Sequence, residues 1–446
     1  MQTEIFVAGG GVGGLALAVK LASSGVHVTV AEQLKDESPL YKGELLQPKT
    51  IAILDQMDLL PEVLQYGHKI ETLAFQEADI NPGRPPEEIG STELTYNRIA
   101  STYNYSVMIP HEKIKEILRN KASQYGEYFH FIPGARFLGF ENGHAKIKQA
   151  KETYAITANV YIGAEGRSSP TRQAMDVSIK RKHYNHHFLT VTIPRPESFL
   201  EGKIVTTKES FLGMFPLPDH EIRTVLLIKA GEYKAIKEKG LEHVYEVYGD
   251  LEPRLKEYVR AIKDWKQIQL MVPYTYHVDR YVRGNMALLG DAAHTVHPMA
   301  GEGMNLAIQD ADVLGELLSW CKHKSKPYHS YLSYYEQVRR PRVSFLLKLS
   351  HLSALVYSYP YAWWRKLRMQ AVQRMYEDDQ LHVKQMLNTS GLGIWDFSLV
   401  DRAIQGSMLP VRKKSITDHQ QQRYIFDETD DYPWKRNELE GVEIDE

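Results

Sequence analysis

The feature that most constrains this chain is a cluster of glycines placed directly after an apolar segment near its start. Residues 3–8 are predicted to form a buried strand, and Gly9, Gly11 and Gly14 follow with the spacing G-x-G-x-x-G. In this pattern the first glycine permits a tight turn, the second lets the backbone approach a pyrophosphate, and the third lets the next helix pack on the sheet. Val12 and its neighbours would open that helix, whose free N–H groups and dipole favour phosphates. The cluster therefore predicts a dinucleotide site in a β-α-β unit.

The residues after the glycine cluster fit the same unit. A helix is predicted over 13–24 and a second strand over 26–31, and Glu32 and Gln33 stand at the carboxyl end of that strand. A carboxylate there accepts hydrogen bonds from ribose hydroxyls and repels a ribose phosphate. We therefore expect the nucleotide to be FAD or NAD rather than NADP, with Glu32 and Gln33 among its contacts.

Composition excludes several other classes of protein. The 446 residues include 54 Lys and Arg against 56 Asp and Glu, without a basic stripe, so we expect no nucleic-acid partner. The single cysteine, Cys321, excludes an internal disulfide and a multi-cysteine metal site. His294 and His297 lack a third ligand at suitable spacing, so we predict no metal. Because the first strand begins too early for a signal peptide to precede it, we expect a cytoplasmic protein.

The order of predicted elements indicates an α/β protein in which two domains are interleaved. Segments 1–70, 100–175 and 280–330 would form one discontinuous nucleotide-binding domain of the Rossmann type. Segments 71–99 and 176–279 show alternation of period two, which is typical of half-buried strands. We expect these two segments to form a mostly antiparallel β-sheet domain that covers the first domain and holds the substrate.

The C-terminal part is predicted to be helical over 331–410 and to end in an acidic, flexible tail over 411–446. Residues 343–364 combine apolar and aromatic side chains, and basic residues follow them. Such a segment can lie on a membrane surface as a peripheral helix. It can also pack across the two domains, and we favour this alternative because apolar stripes at helical spacing usually face a core.

A second constellation follows a buried strand predicted over 286–289. Gly290 and Asp291 end the strand, and a glycine-bearing turn leads into a helix predicted over 306–320. An acid at a strand end accepts hydrogen bonds from polyol hydroxyls, and a helix N-terminus stabilises a group that becomes anionic. A flavin presents both kinds of group, in its ribityl chain and in the N1–C2=O edge of its reduced ring. The residues expected to contact it are Asp291, Pro298, Gly301, Gly303, Met304 and Asn305.

A third segment, 161–172, lies between these two and is again a strand end followed by a polar, glycine-bearing turn. In this order the three segments resemble those of the group A flavin monooxygenases, the para-hydroxybenzoate-hydroxylase-like family. Residues 290–305 match the family pattern G-D-A-A-H-x-x-x-P-x-x-G-x-G-x-N in full. Residues 43–48, G-E-L-L-Q-P, are similar to a loop of squalene epoxidases, and the ubiquinone-ring hydroxylases of the same superfamily are also similar.

The resemblance implies an FAD-dependent monooxygenase that uses NADH or NADPH and O₂ as cosubstrates. In that family one oxygen atom passes from a flavin C4a-hydroperoxide to an electron-rich carbon, so we expect hydroxylation or epoxidation of an aromatic or lipophilic small molecule. The resemblance also implies an FAD contact from His111, at the start of a predicted helix, where the family often has arginine. Two further departures are Glu165, where the family has aspartate, and Glu302, where glutamine is commoner and which we expect to point to solvent.

Two alternatives keep the FAD and change the function. One is a reductase of prenyl or alkene substrates that consumes no O₂, and the other is a non-catalytic FAD-binding protein. The complete pattern over 290–305 argues against the second, because a non-catalytic protein has no need to stabilise reduced flavin. No catalytic base is assigned, since tyrosines and histidines on a sheet are typically packing residues. No oligomeric state follows from the sequence.

Overall fold

The computed structural model describes residues 1–34, 44–81, 86–208, 210–359 and 361–436, and the statements below concern these residues. The α-helices are α1 (Val12–Ser23), α2 (Pro48–Gln56), α3 (Leu60–Gln65), α4 (His111–Ser123), α5 (Pro170–Ala174), α6 (Tyr233–Lys239), α7 (Leu241–Leu251), α8 (Gly303–His323), α9 (Tyr328–Ser358), α10 (Ala362–Glu377), α11 (Asp379–Ser390), α12 (Leu399–Gln405), α13 (Asp418–Gln422) and α14 (Glu428–Asp431). The β-strands are β1 (Gln2–Ala8), β2 (Val28–Glu32), β3 (Leu45–Leu46), β4 (His68–Ile70), β5 (Thr72–Asp79), β6 (Glu87–Thr95), β7 (Ser106–Met108), β8 (Phe129–Pro133), β9 (Ala135–Glu141), β10 (His144–Gln149), β11 (Glu152–Gly163), β12 (Lys182–His183), β13 (His186–Pro194), β14 (Gly202–Thr206), β15 (Phe211–Pro216), β16 (Glu221–Lys229), β17 (Gln269–Met271), β18 (Tyr274–His277), β19 (Val282–Arg283), β20 (Met286–Leu288) and β21 (His294–Thr295).

The central sheet of the first domain is mainly parallel. Its order is β19-β20-β11-β1-β2-β8, and the neighbouring pairs from β20 to β8 are all parallel, whereas β19 is antiparallel to β20. The hairpin of β9 and β10 joins this sheet through antiparallel pairing of β10 with β11. The apolar ends of β1 and β2 are buried because a parallel sheet needs cover on both faces. On this sheet α1 contacts both α4 and α8.

The second sheet is built from two separate stretches of the chain. Its order is β17-β13-β16-β15-β14-β5-β6, and all pairs except β14–β5 are antiparallel. In β13, Leu189, Val191 and Ile193 pack with α7 on one face. Because side chains alternate along a strand, His186 and Phe188 lie on the other face, which we call the inner face. The predicted fold class, a Rossmann-type domain interleaved with a mostly antiparallel sheet domain and followed by helices, is confirmed.

The prediction of a flexible acidic tail is wrong for residues 411–436. Asp431 is buried and accepts hydrogen bonds from Lys49 of α2 and Arg342 of α9. The acidic residues from Asp427 onward favour solvation, but Asp431 faces largely buried cations that need an anionic partner, and the pairing holds the segment on the helices. Residues 437–446, the end of the predicted tail, lie outside the described residues.

One side of the apolar segment 343–364 packs into the protein. Val343 and Leu346 belong to a buried cluster, as the favoured alternative predicts. The basic residues after the segment do not form a membrane-facing stripe, because Arg365 and Arg368 are buried and both bind a glutamate of β5. Among the described residues, none of the helices combines the length and the apolar character needed to cross a bilayer.

Candidate active site

The three motif segments meet at one edge of the central sheet. Because β1, β11 and β20 are neighbouring parallel strands, their carboxyl ends lie side by side. Gly9, Glu165 and Asp291 follow these three ends. Arg167, just beyond β11, has its Nε 3.3 Å from the Asp291 carboxylate. The fold thus gathers segments that are far apart in the chain at the edge where α/β proteins bind nucleotides.

Two helix N-termini open toward this edge. A Cβ placed on Gly13 would contact Ala307, and one placed on Gly315 would contact Lys20, so α1 and α8 run side by side in the same direction. The first turn of neither helix carries an acidic side chain. Their free N–H groups and positive dipole ends therefore converge where an anionic cofactor would lie.

The glycines of the first motif have the geometry that their spacing predicts. Gly9 has a φ of +111°, and a Cβ there would lie 2.3 Å from the Ala164 carbonyl oxygen. A Cβ on Gly14 would lie 2.1 Å from the Gly9 carbonyl oxygen, whereas a Cβ on Gly11 would find no atom within 4 Å. Gly9 and Gly14 are therefore required by close packing, and Gly11 borders an open cradle that suits a pyrophosphate.

The residues predicted to meet the adenosine half lie beside this cradle. Glu32 accepts hydrogen bonds from the Gly10 N–H at 2.7 Å and from the Leu34 N–H at 2.8 Å, which leaves acceptor capacity for ribose hydroxyls. Gln33 is exposed next to it, and His111 is the first residue of α4. The contacts of Glu32, Gln33 and His111 with a cofactor stay predictions.

The middle motif braces the site. Glu165 accepts hydrogen bonds from Ser169 Oγ at 2.6 Å and from the Thr171 N–H at 3.1 Å, and burial raises the pKa of its carboxyl. Arg172 is buried and donates from Nη1 to the Ala292 carbonyl oxygen at 2.8 Å. Glu165 thus braces the turn after β11, which gives the departure at this position a structural role, and Arg172 joins that turn to the one after β20.

Asp291 stands where the ribityl chain is predicted to bind. Its Oδ1 accepts a hydrogen bond from Thr295 Oγ1 at 3.2 Å, and 39% of its side chain is exposed. Farther along, Pro298 opens a short 3₁₀ turn that ends at Gly301. Gly301 has a φ of +65°, which favours glycine, and Gly303 is the exposed first residue of α8. The segment therefore leads from an available carboxylate to the N-terminus of α8.

Glu302 does not point to solvent, so the prediction for this residue is wrong. Its exposed fraction is 0%, and neither carboxylate oxygen has a hydrogen-bond partner among the described residues. The Arg339 guanidinium favours a charge here, but Asp310 already binds Arg339 Nε at 2.8 Å. Burial raises the pKa of Glu302 well above its ordinary value. Burial therefore favours the neutral form of the carboxyl, which would bring no negative charge to the site.

The side chain of Asn305 positions a loop. Its Nδ2 donates to the carbonyl oxygens of Leu45 at 2.8 Å and Gly301 at 2.9 Å, and its Oδ1 accepts from the Gln47 N–H at 2.8 Å. Met304 beside it is buried. The loop around β3 is thereby clamped to the N-terminus of α8, and a direct cofactor contact from Met304 or Asn305 stays a prediction.

The inner face of the second sheet is turned toward the 3₁₀ turn that begins at Pro298. His186 Nε2 lies 3.0 Å from Nε2 of His297, which is the residue before Pro298. His297 Nδ1 accepts the Met299 N–H, so its Nε2 carries the proton that is donated to His186. Burial lowers the pKa of His186 to about 4 and that of His297 to about 3, and both rings are neutral at pH 7.

An ion pair that sequence reasoning missed joins the sheet to the first domain at a second point. Arg223 of β16 donates from Nε and Nη2 to Oε2 and Oε1 of Glu44, at 2.9 and 2.8 Å. Glu44 belongs to the G-E-L-L-Q-P segment noted above, but no sequence signal marks Arg223 as its partner. The His186–His297 pair and the Glu44–Arg223 pair thus flank the part of the inner face that faces the turn at Pro298.

The residues at this edge fit FAD. Gly11 borders space for a pyrophosphate, Glu32 could accept from a ribose, Asp291 could accept from a ribityl chain, and the N-terminus of α8 would suit a ring edge that becomes anionic on reduction. No cluster of three His, Cys, Asp or Glu side chains that could hold a metal is found in the part of the chain that the structure describes.

Comparison with known proteins decides the family. The family model described as "FAD binding domain" matches residues 2–350. The chain belongs to this family. The 6-methylpretetramide 4-monooxygenase of Streptomyces rimosus is 26% identical over 319 residues, which cover 70% of this chain and 73% of that protein. The ubiquinone hydroxylase UbiL of Rhodospirillum rubrum is 24% identical over 404 residues, covering 87% of this chain and 90% of UbiL.

A solved structure shows the same fold. PqsL of P. aeruginosa superimposes with a TM-score of 0.72 at 22% identity, covering 83% of this chain and 98% of PqsL. With the family and these relatives, the chain is a group A flavin monooxygenase, an oxidoreductase that binds FAD and uses NAD(P)H and O₂. The reductase and the non-catalytic alternatives find no support among the relatives named here.

Proposed function

We propose that this monooxygenase hydroxylates a small aromatic molecule bound between the flavin ring and the inner face of the second sheet. The observation that carries the proposal is the make-up of that face beside Pro298. One cluster there consists of apolar and aromatic side chains: Phe188, Phe211, Leu227, Ile204, Val225, Met271, Met299 and Tyr357. Such a lining favours a planar, largely apolar ligand, because aromatic side chains gain from burial and from ring contacts.

The cofactor contacts are proposed as the sequence predicts them. Those for FAD are Gly9, Gly11, Val12, Gly14, Glu32, Gln33, His111, Asp291, Pro298, Gly301, Gly303, Met304 and Asn305. FAD, when bound, would accept a hydride from NAD(P)H and activate O₂. The chain itself orients the cofactor, keeps water from the cleft and stabilises negative charge with the N-terminus of α8. The names of the two relatives, a 4-monooxygenase and a hydroxylase, support hydroxylation over epoxidation.

The proposal is tested with purified, FAD-loaded protein, NADH or NADPH, and a panel of phenols, naphthols and quinols. We expect at least one member to stimulate oxygen uptake and to yield a product carrying one ¹⁸O atom from ¹⁸O₂. Phe188→Ala on the inner face should raise KM for that substrate, whereas Leu189→Ala on the opposite face should act on stability alone. Oxygen uptake that yields unlabelled product from every panel member would refute the proposal.

We also propose peripheral contact with a membrane, through the exposed aromatic side chains of Tyr361 and Trp363 at the start of α10. Tyr361 is 55% exposed and Trp363 is 62% exposed, and their rings stack with centroids 6.1 Å apart. Exposed aromatic rings with a polar edge favour the bilayer interface. The protein should therefore sediment with phospholipid vesicles, and the double variant Tyr361→Ser/Trp363→Ser should not. Leu399→Ser, at an exposed apolar position of α12, is the control, and equal binding of all three proteins would exclude this turn. The cytoplasmic location stays a prediction.

A further inference from the structure

The inner face carries an arginine, Arg223, close to the cluster of apolar and aromatic side chains that includes Phe188 and Val225. Arg223 lies opposite Thr192 of β13 and Phe215 of β15 in the strand register, so it shares the inner face with them. Two positions along β16, Val225 packs in the apolar cluster beside Met299. A guanidinium at this position would be the natural partner for a carboxylate on an aromatic substrate.

That guanidinium is already bound by the protein. Glu44 uses both carboxylate oxygens to accept from Arg223, and its side chain is 5% exposed while that of Arg223 is 13% exposed. The Glu44 carbonyl oxygen accepts the Ile109 N–H at 2.9 Å, which fixes the backbone that carries the carboxylate. The next residue, Leu45, is clamped by Asn305. The carboxylate is therefore held in place by the same loop that borders the cofactor site.

Three other polar features of this face are neutral or paired. Thr190 lies between Phe188 and Thr192 on β13, and its buried Oγ1 has no hydrogen-bond partner among the described residues. The His186–His297 pair is neutral. At the far end of the sheet, the buried carboxylate of Glu77 binds two arginines of α10. The buried part of the face thus offers a hydroxyl group to a ligand, while Arg223 and Glu77 are already paired within the protein.

We infer that the Glu44–Arg223 pair makes the enzyme selective for aromatic substrates that carry no carboxylate. The inference rests on the proposed function, since it assumes that substrates bind on the inner face. A substrate carboxylate would have to displace Glu44, which is held in position as an intramolecular competitor, or be desolvated without a cation. A neutral phenol loses little solvation free energy on entry, and it can form a hydrogen bond with a hydroxyl group such as that of Thr190.

The test compares two probes of similar shape, methyl 4-hydroxybenzoate and 4-hydroxybenzoate, which differ in charge at neutral pH. Their dissociation constants are measured on FAD-loaded protein from the perturbation of the flavin absorbance, without NAD(P)H, so that no turnover is required. We expect the wild type to bind the ester at least about tenfold more tightly than the acid. Glu44→Gln keeps the shape of the side chain and removes the negative charge that Glu44 places on Arg223, so it should improve acid binding by about 10–100-fold.

Glu44→Gln/Arg223→Gln is the matched control. It removes the guanidinium as well, so it should lose the gain in acid binding and still bind the ester. Since loss of the Glu44 charge can impair folding, Glu44→Ser is a second variant, with room for water beside Arg223. Tighter binding of the acid than of the ester by the wild type would overturn the inference without any variant. An unchanged ratio in a folded Glu44 variant would also overturn it. Failure of the proposed hydroxylation is recognised separately, from the absence of ¹⁸O in every product.

Discussion

Replacing Glu302 by glutamine should stabilise this protein at neutral pH, although it removes an ionisable group from the turn that leads into α8. The carboxyl has no exposed surface and no hydrogen-bond partner among the described residues, and burial raises its pKa well above the ordinary value of 4.5. In the unfolded chain the group is ionised at pH 7. Folding at pH 7 must therefore bind one proton, whereas Glu302→Gln has the same shape and binds none.

The size of the effect follows from the distance between pH 7 and 4.5. Each pH unit corresponds to ~1.36 kcal/mol, so protonating Glu302 on folding costs at most ~3.4 kcal/mol at pH 7 and ~0.7 kcal/mol at pH 5, less the desolvation of the buried amide in the variant. An unfolding entropy of ~2.1 cal/mol/K per residue converts the value at pH 7 to a rise in Tm of ~4 °C. The sign follows from linkage: the folded state holds the proton more tightly, so wild-type stability falls as the pH rises above the unfolded pKa, and the advantage of the variant grows.

The assay is thermal unfolding of the wild type and Glu302→Gln from pH 5 to pH 8, with infrared spectroscopy of the folded proteins. The variant should gain Tm relative to the wild type with each pH unit, and the carbonyl band of a protonated carboxylic acid should disappear. Glu316→Gln on the same helix is the control with the opposite sign, because Lys20 and Lys435 bind Glu316. A Tm difference independent of pH, or no change in the infrared band, would refute the assignment of a neutral Glu302.

Four further substitutions test the site and its support. Gly11→Ala should leave the Tm of the FAD-free protein unchanged, because its Cβ meets no atom, yet it should abolish FAD binding by filling the cradle. Gly14→Ala should lower the Tm of the FAD-free protein, because its Cβ clashes with the Gly9 carbonyl oxygen. A lower Tm in Gly11→Ala would contradict the open cradle. Asp291→Ala should weaken FAD binding about 10–100-fold by flavin fluorescence titration, and full retention of FAD would remove Asp291 from the site. Although burial alone would raise it, the pKa of Asp310 is lowered to about 2 by His294 and Arg339. Asp310→Asn should therefore lower the free energy of unfolding by urea by ~3–5 kcal/mol at pH 7. This difference between variant and wild type should shrink as the pH falls below 3.8 toward 2, because the wild-type carboxylate is then protonated as well. An unchanged difference at pH 2 would contradict the pairing.

The cofactor half of the site could be read from the sequence because its determinants are local. The strand, the glycine spacing and Glu32 lie within one β-α-β unit, and backbone sterics alone make Gly9 and Gly14 necessary. The pattern over 290–305 likewise carries its own strand, turn and helix start, and the structure brings it to the same sheet edge. Period-two alternation predicts the second sheet because alternate side chains of a strand point to opposite faces. In β13, one of these faces packs against α7 and the other forms the inner face.

The errors arose where composition stood in for contacts. The sequence predicts Glu302 in solvent, because a negative charge beside the flavin would disfavour its reduced, anionic form, but the turn into α8 directs the side chain into the protein. The acidic C-terminal segment was expected to be flexible, but Asp431 meets Lys49 and Arg342 from distant helices. Composition gives the average behaviour of a residue type, whereas burial depends on which other segments pack against it.

The sequence by itself determined the dinucleotide fold, the cofactor class and the family resemblance, because short-range steric and hydrogen-bonding demands leave few residues able to meet them. Only the tertiary structure decided how the second sheet faces the cofactor edge. Arg223 and Glu44 are 179 residues apart, and nothing in either segment specifies the other. The charge of a substrate cleft is a sum over side chains from several distant strands and loops, so it exists only once the chain has folded.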